Sequence, residues 1–139
     1  MKSRPIVLLV EGDENEELLA RQAITNSEID CDVQVARSEA EVCKMLFESG
    51  NPPPTLILID LDAHGLNGFR VLTLIRDHEL TKRLPVVVLS ESGNQADVSR
   101  SFDLHVNSYV QKDDDLDFYE TRLKLLLYYW FAVNKNGNA

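Results

Sequence analysis

The sequence contains little cysteine, and its two cysteines are far from any pattern that binds a metal. Cys31 and Cys43 belong to no CxxC pair and to no cluster of cysteine and histidine. A disulfide scaffold and a zinc site are therefore both excluded as interpretations. We expect two reduced, partly buried packing residues in a cytoplasmic protein.

Basic residues and long apolar runs are also scarce. Lys and Arg total 14 against 23 Asp and Glu, which gives a net charge of −9. Such a charge repels phosphate backbones and anionic lipid, so we expect no nucleic-acid partner. The longest apolar run, 125–133, is less than half of the ~20 residues that span a bilayer. We therefore expect no membrane partner either.

Apolar runs of strand length alternate along the chain with segments of helical period. At 139 residues the chain is expected to form a single domain over 1–139, with a polar tail from about 134. The predicted strands are 5–10, 32–36, 55–59, 84–89 and 107–110. The predicted helices are 14–26, 39–49, 68–78, 95–103 and 116–133. This alternation predicts an α/β fold, a doubly wound parallel sheet between two layers of helices.

The composition of the strands predicts their order in the sheet. The first, third and fourth are continuously apolar, as in strands covered on both faces, whereas Gln34 and Ser108 interrupt the second and fifth. With the second and fifth strands at the edges and right-handed crossovers, the expected order is 2-1-3-4-5, a flavodoxin-like three-layer sandwich. Ligands of such sheets bind at the carboxyl ends of the strands.

Polar residues follow four of the five predicted strands at this end. They are Glu11 and Asp13 after the first strand, Asp60 and Asp62 after the third, Ser90 after the fourth and Lys112 after the fifth. Carboxylates suit Mg²⁺, and a lysine with a hydroxyl can hold phosphoryl oxygens. Each residue alone is as readily a helix cap or a solvated loop residue, but together they favour a site for a divalent cation and a phosphoryl group.

With these residues the chain resembles the receiver domain of two-component response regulators over essentially its whole length. The match is carried by Glu11, by Asp60 at the end of an apolar strand with Gly68 eight residues on, by Ser90, and by Tyr109-Val110-Gln111-Lys112. The segments 84–90 and 101–109 are most similar to the small stand-alone regulators associated with bacterial phytochrome kinases.

The resemblance implies a signalling protein that is not an enzyme. Asp60 would be the phosphoacceptor for a sensor histidine kinase or a phosphotransfer protein, and Ser90 and Lys112 would grip the transferred phosphoryl group. Ser90 and Tyr109 would form the switch that alters the face made by helix four, strand five and helix five. Glu11 and Asp60 would bind Mg²⁺.

Two positions depart from the family pattern. Gly12 stands where a second acidic metal ligand is usual, so Asp13 or Asp62 is expected to supply that carboxylate. Asp113 stands where the family usually has proline. The two departures leave open an alternative, a pseudo-receiver that binds a partner without phosphorylation.

A third interpretation of the sequence is an enzyme. The segment 57–62 resembles the aspartate-nucleophile motif of haloacid-dehalogenase-type phosphatases, with Ser90, Lys112 and Asp113-Asp114 as the accompanying groups. That motif usually lies on the first strand, whereas two βα units precede Asp60 here. The phosphatase is therefore the least favoured of the three interpretations.

The last predicted helix is apolar on more than one face. A helix packed on a sheet needs one apolar stripe, and the run 125–133 exceeds it. Because large exposed apolar patches usually mark interfaces, we expect a homodimer through helix five. No residues beyond this helix would build an output domain, so the expected output is contact with another protein.

Overall fold

Five strands and five helices alternate in a computed structural model that describes residues 4–48, 50–63 and 65–135. Residues 136–139 of the predicted polar tail lie outside the described residues. The strands are β1 Ile6–Val10, β2 Asp32–Ala36, β3 Leu56–Asp60, β4 Val86–Ser90 and β5 Ser108–Gln111. The helices are α1 Glu14–Asn26, α2 Glu39–Phe47, α3 Gly68–Asp77, α4 Gln95–Asp103 and α5 Leu116–Tyr128.

The sheet is parallel and its order is β2-β1-β3-β4-β5, which confirms the predicted fold class and strand order. Every residue of β1, β3 and β4 is buried, whereas β2 and β5 are only partly covered. The apolar strands thus occupy the centre and the interrupted strands the edges. Register pairs Val10 with Ile59 and Asp60 with Leu89, so the carboxyl ends of the central strands finish level with one another.

Alternate residues of the central strands face two separate cores. Leu8, Ile57 and Val88 point to the core that includes residues of α2 and α3. Leu9, Leu58 and Val87 point to the core shared with α1 and α5. Because side chains alternate along a strand, both faces of the sheet are covered and a three-layer sandwich results.

The last helix differs from its prediction over its final residues. The α-helix ends at Tyr128 and continues as a π-helical turn, Tyr129–Val133, in which the N–H of Asn134 bonds the carbonyl of Tyr129 at 2.6 Å. The wider turn was invisible to the apolar pattern, which does not distinguish the two helical periods. Leu123 and Leu127 pack into the core, while Leu125 and Tyr128 stay 65% and 59% exposed.

Two expectations from composition can be compared with the described residues. Cys31 and Cys43 are both free and partly buried, as predicted. Over the same described ranges, every helix is too short or too polar to cross a membrane.

Candidate functional site

Four side chains meet at the carboxyl edge of the sheet because the parallel strands end there together. Glu11 follows β1, Asp60 ends β3, Ser90 ends β4 and Lys112 follows β5. The backbone keeps this edge level, since the N–H of Lys112 bonds the carbonyl of Ser90 at 2.7 Å. Glu11, Asp60 and Ser90 are each no more than 2% exposed. Buried polar groups require partners. Asp60 pairs with Lys112, and the Ser90 hydroxyl donates to Asp62.

The central contact joins Asp60 and Lys112. The lysine Nζ lies 2.7 Å from Asp60 Oδ2, and its side chain is only 5% exposed. Burial alone would lower the pKa of this ammonium group, but the hydrogen bond and charge of Asp60, with the charge of Glu16, raise the pKa above its usual value. Lys112 is therefore a fixed positive charge beside the Asp60 carboxylate.

Two further carboxylates, those of Glu11 and Glu16, lie close to Asp60. Oxygen atoms of Glu11, Glu16 and Asp60 all lie within 4.8 Å of one another. Burial, the hydrogen bond to Asp60 and the negative charge of Asp60 raise the pKa of Glu11 to about 9. Such a pKa favours the protonated form of Glu11 beside the Asp60 carboxylate when no cation is bound. The donor set fits the hard cations, which take oxygen ligands.

Glu16 is a member of this cluster that the sequence reasoning missed. It lies in the first turn of α1, whose N-cap is Asp13, three residues beyond the end of β1 and two beyond Glu11. The short connection places the first turn of the helix over the strand end. Helical spacing after the Asp13 cap was the signal that could have identified it.

Asp13 and Asp62, the two predicted substitutes for the missing acid at Gly12, both have other partners. Asp13 caps α1, accepting the N–H groups of Asn15 and Glu16 at 2.8 and 3.1 Å. Asp62 accepts the Ser90 hydroxyl at 3.2 Å and the Glu91 N–H at 2.7 Å. Metal ligation by either carboxylate stays a prediction, and Glu16 is the carboxylate that joins Glu11 and Asp60.

The predicted switch residues are linked through the loop 91–94 between β4 and α4. The Tyr109 hydroxyl donates to the Ser92 carbonyl at 2.7 Å, and the Ser92 N–H donates to Ser90 Oγ at 3.1 Å. The Tyr109 ring packs against the core that includes residues of α2 and α3. A shift of Ser90 would therefore be transmitted to Tyr109 through these two hydrogen bonds of Ser92.

The second departure from the family pattern does not loosen the lysine loop. Asp113 accepts the N–H of Asp115 at 2.8 Å and lies 3.4 Å from the guanidinium of Arg122. A polar groove of about 390 Å³ opens beside it, bordered by Glu16 and Lys112. The groove therefore reaches the site beside Glu16 and Lys112, while Glu11, Asp60 and Ser90 stay buried.

Comparison with known proteins agrees with this geometry. Residues 7–124 match the family model of the response regulator receiver domain. Response regulator Rcp1 of Synechocystis sp. is 36% identical over 115 residues, covering 80% of this chain and 78% of that protein.

Two solved structures are similar throughout. The phosphorylated cyanobacterial phytochrome response regulator RcpA has a TM-score of 0.89 at 31% identity, covering 98% of this chain and all of that one. The Mn²⁺-bound form of Rcp1 has a TM-score of 0.85 at 31% identity, covering 95% and 98%. These matches and the cluster around Asp60 lead to one conclusion: the chain belongs to the response regulator receiver domain family of two-component signalling.

Proposed function

We propose that this receiver accepts a phosphoryl group on Asp60 from a phosphohistidine of a sensor histidine kinase or of a phosphotransfer protein. The observation that carries the proposal is the buried contact of Asp60 with Lys112, beside the carboxylates of Glu11 and Glu16. A lone buried carboxylate would be a costly feature of a core. Its partners are those that a phosphoryl acceptor needs.

In the proposed transfer, an oxygen of Asp60 attacks phosphorus, the phosphorus–nitrogen bond of phosphohistidine breaks, and an acyl phosphate forms. The attack meets repulsion between anions, and Lys112 offsets it with a charge held 2.7 Å from the nucleophile. Ser90 Oγ supplies a hydroxyl for a phosphoryl oxygen. Glu11, Glu16 and Asp60 would hold Mg²⁺, which supplies further neutralisation of charge when bound.

The proposed donor is a kinase of the phytochrome type. The support is that RcpA, 31% identical to this chain, is described as a phytochrome response regulator. A cytoplasmic location belongs to the same proposal, because both cysteines are free, as is usual in reducing compartments.

The proposed output is a protein contact on the surface of α5 and β5, with a second copy of this chain as the first candidate. A groove of about 500 Å³ runs between Tyr109 and Val110 on β5 and Leu125 and Tyr129 on the last helix. Beside it the buried Nε1 of Trp130 has no hydrogen-bond partner within the described residues. Exposed aromatic and aliphatic groups beside a sheet edge are typical of interfaces.

Sedimentation tests the homodimer. We expect a dimer at tens of micromolar protein, in the unmodified state or with a beryllofluoride phosphoryl mimic. A strict monomer in both states would contradict the homodimer and leave the surface to a different protein.

The phosphoryl transfer is tested by labelling with acetyl phosphate in Mg²⁺. We expect label on the parent chain and none on Asp60→Asn, because the amide keeps the shape and loses the nucleophile. Asp77→Asn, the same substitution at the exposed acid that ends α3, is the matched control and should take label normally.

Two outcomes would contradict the proposal. Absence of label under conditions that label an ordinary receiver would favour the phosphorylation-independent pseudo-receiver. Multiple turnover of a small phosphate ester would instead favour the phosphatase interpretation.

A further inference from the structure

The carboxylate of Asp62 faces a convergent set of donors. Its Oδ1 accepts the Ser90 hydroxyl at 3.2 Å, its Oδ2 accepts the Glu91 N–H at 2.7 Å, and Lys112 Nζ lies 3.3 Å from the same Oδ2. One hydroxyl, one amide and one ammonium group thus meet on one side chain. Ser90 is 1% exposed and the Lys112 side chain 5%, so these two donors have little solvent to bond instead.

These are also the donors that a phosphoryl group on Asp60 would need. Lys112 already touches Asp60 Oδ2 at 2.7 Å, and the N–H of Asp62 donates to Asp60 Oδ1 at 2.8 Å. A phosphoryl group attached there carries anionic oxygens that seek charged and polar donors. The carboxylate of Asp62 is an anion that binds the same kinds of donor. It already contacts Ser90, the Glu91 N–H and Lys112.

The same contact fixes the loop that leads to Tyr109. Asp62 holds the N–H of Glu91, while Gln111 Nε2 donates to the Glu91 carbonyl at 3.2 Å and Tyr109 donates to the Ser92 carbonyl. The Gln111 amide lies so close to Gly93 that a Cβ there would be 2.8 Å from its Oε1. The loop 91–94 is therefore drawn against β5 and toward Asp60 without any phosphoryl group.

We infer that Asp62 is an internal substitute for the phosphoryl group, occupying the donors Ser90, Glu91 N–H and Lys112 until phosphorylation displaces it. The inference rests on the proposed function for its second half, the displacement. The Asp62 side chain is 33% exposed, so solvent is available on the side to which it can turn. Two consequences can be measured. The loop 91–94 is already held in place in the unmodified chain, and a phosphoryl group on Asp60 must displace the Asp62 carboxylate from the shared donors.

The first consequence is measured without any phosphoryl group. In the unmodified chain the Glu91 amide is protected from hydrogen exchange by its bond to Asp62. In Asp62→Ala that amide loses its acceptor, and we expect its exchange to become about tenfold faster or more, the size of one lost charge-assisted bond. Asp114→Asn removes an exposed carboxylate that borders the groove beside Lys112 and should leave the exchange unchanged.

The second consequence is measured with beryllofluoride in saturating Mg²⁺. We expect Asp62→Ala to bind this mimic about tenfold more tightly than the parent, because the three donors are free and one like charge is gone. Asp62→Asn, which keeps the shape and loses the charge, should shift in the same direction by less. Mg²⁺ affinity should not fall in either variant, whereas a role of Asp62 as a metal ligand requires that it fall.

Failure of the inference and failure of the proposed function give different results. Equal Glu91 exchange in the parent and Asp62→Ala, or mimic binding that is unchanged or weaker in Asp62→Ala, overturns the inference. If neither chain binds the mimic or takes label on Asp60, the proposed function fails. The Glu91 exchange then still decides whether Asp62 holds the loop.

Discussion

Replacing Glu11 with Gln should flatten the dependence of folding stability on pH. Glu11 is 2% exposed and lies against Asp60, and the pKa of its carboxyl group is raised from 4.5 to about 9. Between these values the folded chain keeps a proton that the unfolded chain has released. The free energy of unfolding must therefore fall as pH rises through this window in the absence of divalent metal.

The size of the effect follows from the two pKa values. One proton retained by the folded state alone lowers the free energy of unfolding by about 1.4 kcal/mol for each pH unit. From pH 5 to pH 8 the parent should lose up to about 4 kcal/mol from this source. Because Glu11 and Asp60 titrate together, the slope of unfolding free energy against pH measures the protonation of the pair and not of Glu11 alone. The Gln side chain has no such proton, and the slope should be largely absent.

Urea unfolding at several pH values with a chelator present measures this difference. Glu14→Gln is the control, since Glu14 is an exposed acid in the first turn of α1. Its removal should change the free energy of unfolding by less than about 1 kcal/mol at every pH. Equal slopes for the parent and Glu11→Gln would refute the reasoning, because they would show that no proton is held between the two carboxylates.

Three further predictions concern the metal site, the core and the surface of α5. Gly12→Asp should tighten Mg²⁺ binding in a calorimetric titration by adding a carboxylate to a hard-cation site, and unchanged affinity would show that Glu16 already fills that place. Leu127→Ala should cost about 2 to 5 kcal/mol of unfolding free energy in urea, because Leu127 is fully buried; a loss under about 1 kcal/mol would contradict its place in the core. Leu125→Ala, at a side chain 65% exposed, should change stability by less than about 0.5 kcal/mol yet weaken self-association in sedimentation, and unweakened association would move the dimer contact elsewhere.

The fold could be predicted almost completely because its signals are local and redundant. Three uninterrupted apolar strands could only be central, and Gln34 and Ser108 marked the edges. The helix ends were less certain. Helix α2 ends at Phe47, because the backbone of Glu48 is already extended, and residue 49 of the predicted helix lies outside the described residues. The π-helical turn after Tyr128 depends on backbone bonding that side-chain pattern does not encode.

The candidate site could be predicted in part. Residues at strand ends have positions set by the sheet, and for that reason Glu11, Asp60, Ser90 and Lys112 were found to converge. Carboxylates in the connecting segments and in the first turns of helices have positions set by local capping and by hydrogen bonds across the site. Asp13 became a helix cap, and Glu16 came to lie beside Asp60.

The contacts of Asp62 could not be predicted from the sequence either. Its residue type fits a metal ligand, and only the three-dimensional contacts with Ser90 and Glu91 reveal that it faces the donors of the site. Sequence spacing gives the distance of a residue from its strand end. It does not give the direction in which a loop side chain turns.

The identity of the phosphoacceptor is tested most directly by trapping the acyl phosphate. Labelled protein is reduced with borohydride, which converts a phosphorylated aspartate to homoserine, and the peptides are then mapped by mass spectrometry. We expect homoserine at position 60 and at no other aspartate. Homoserine at Asp62 or Asp13 with Asp60 intact would contradict it.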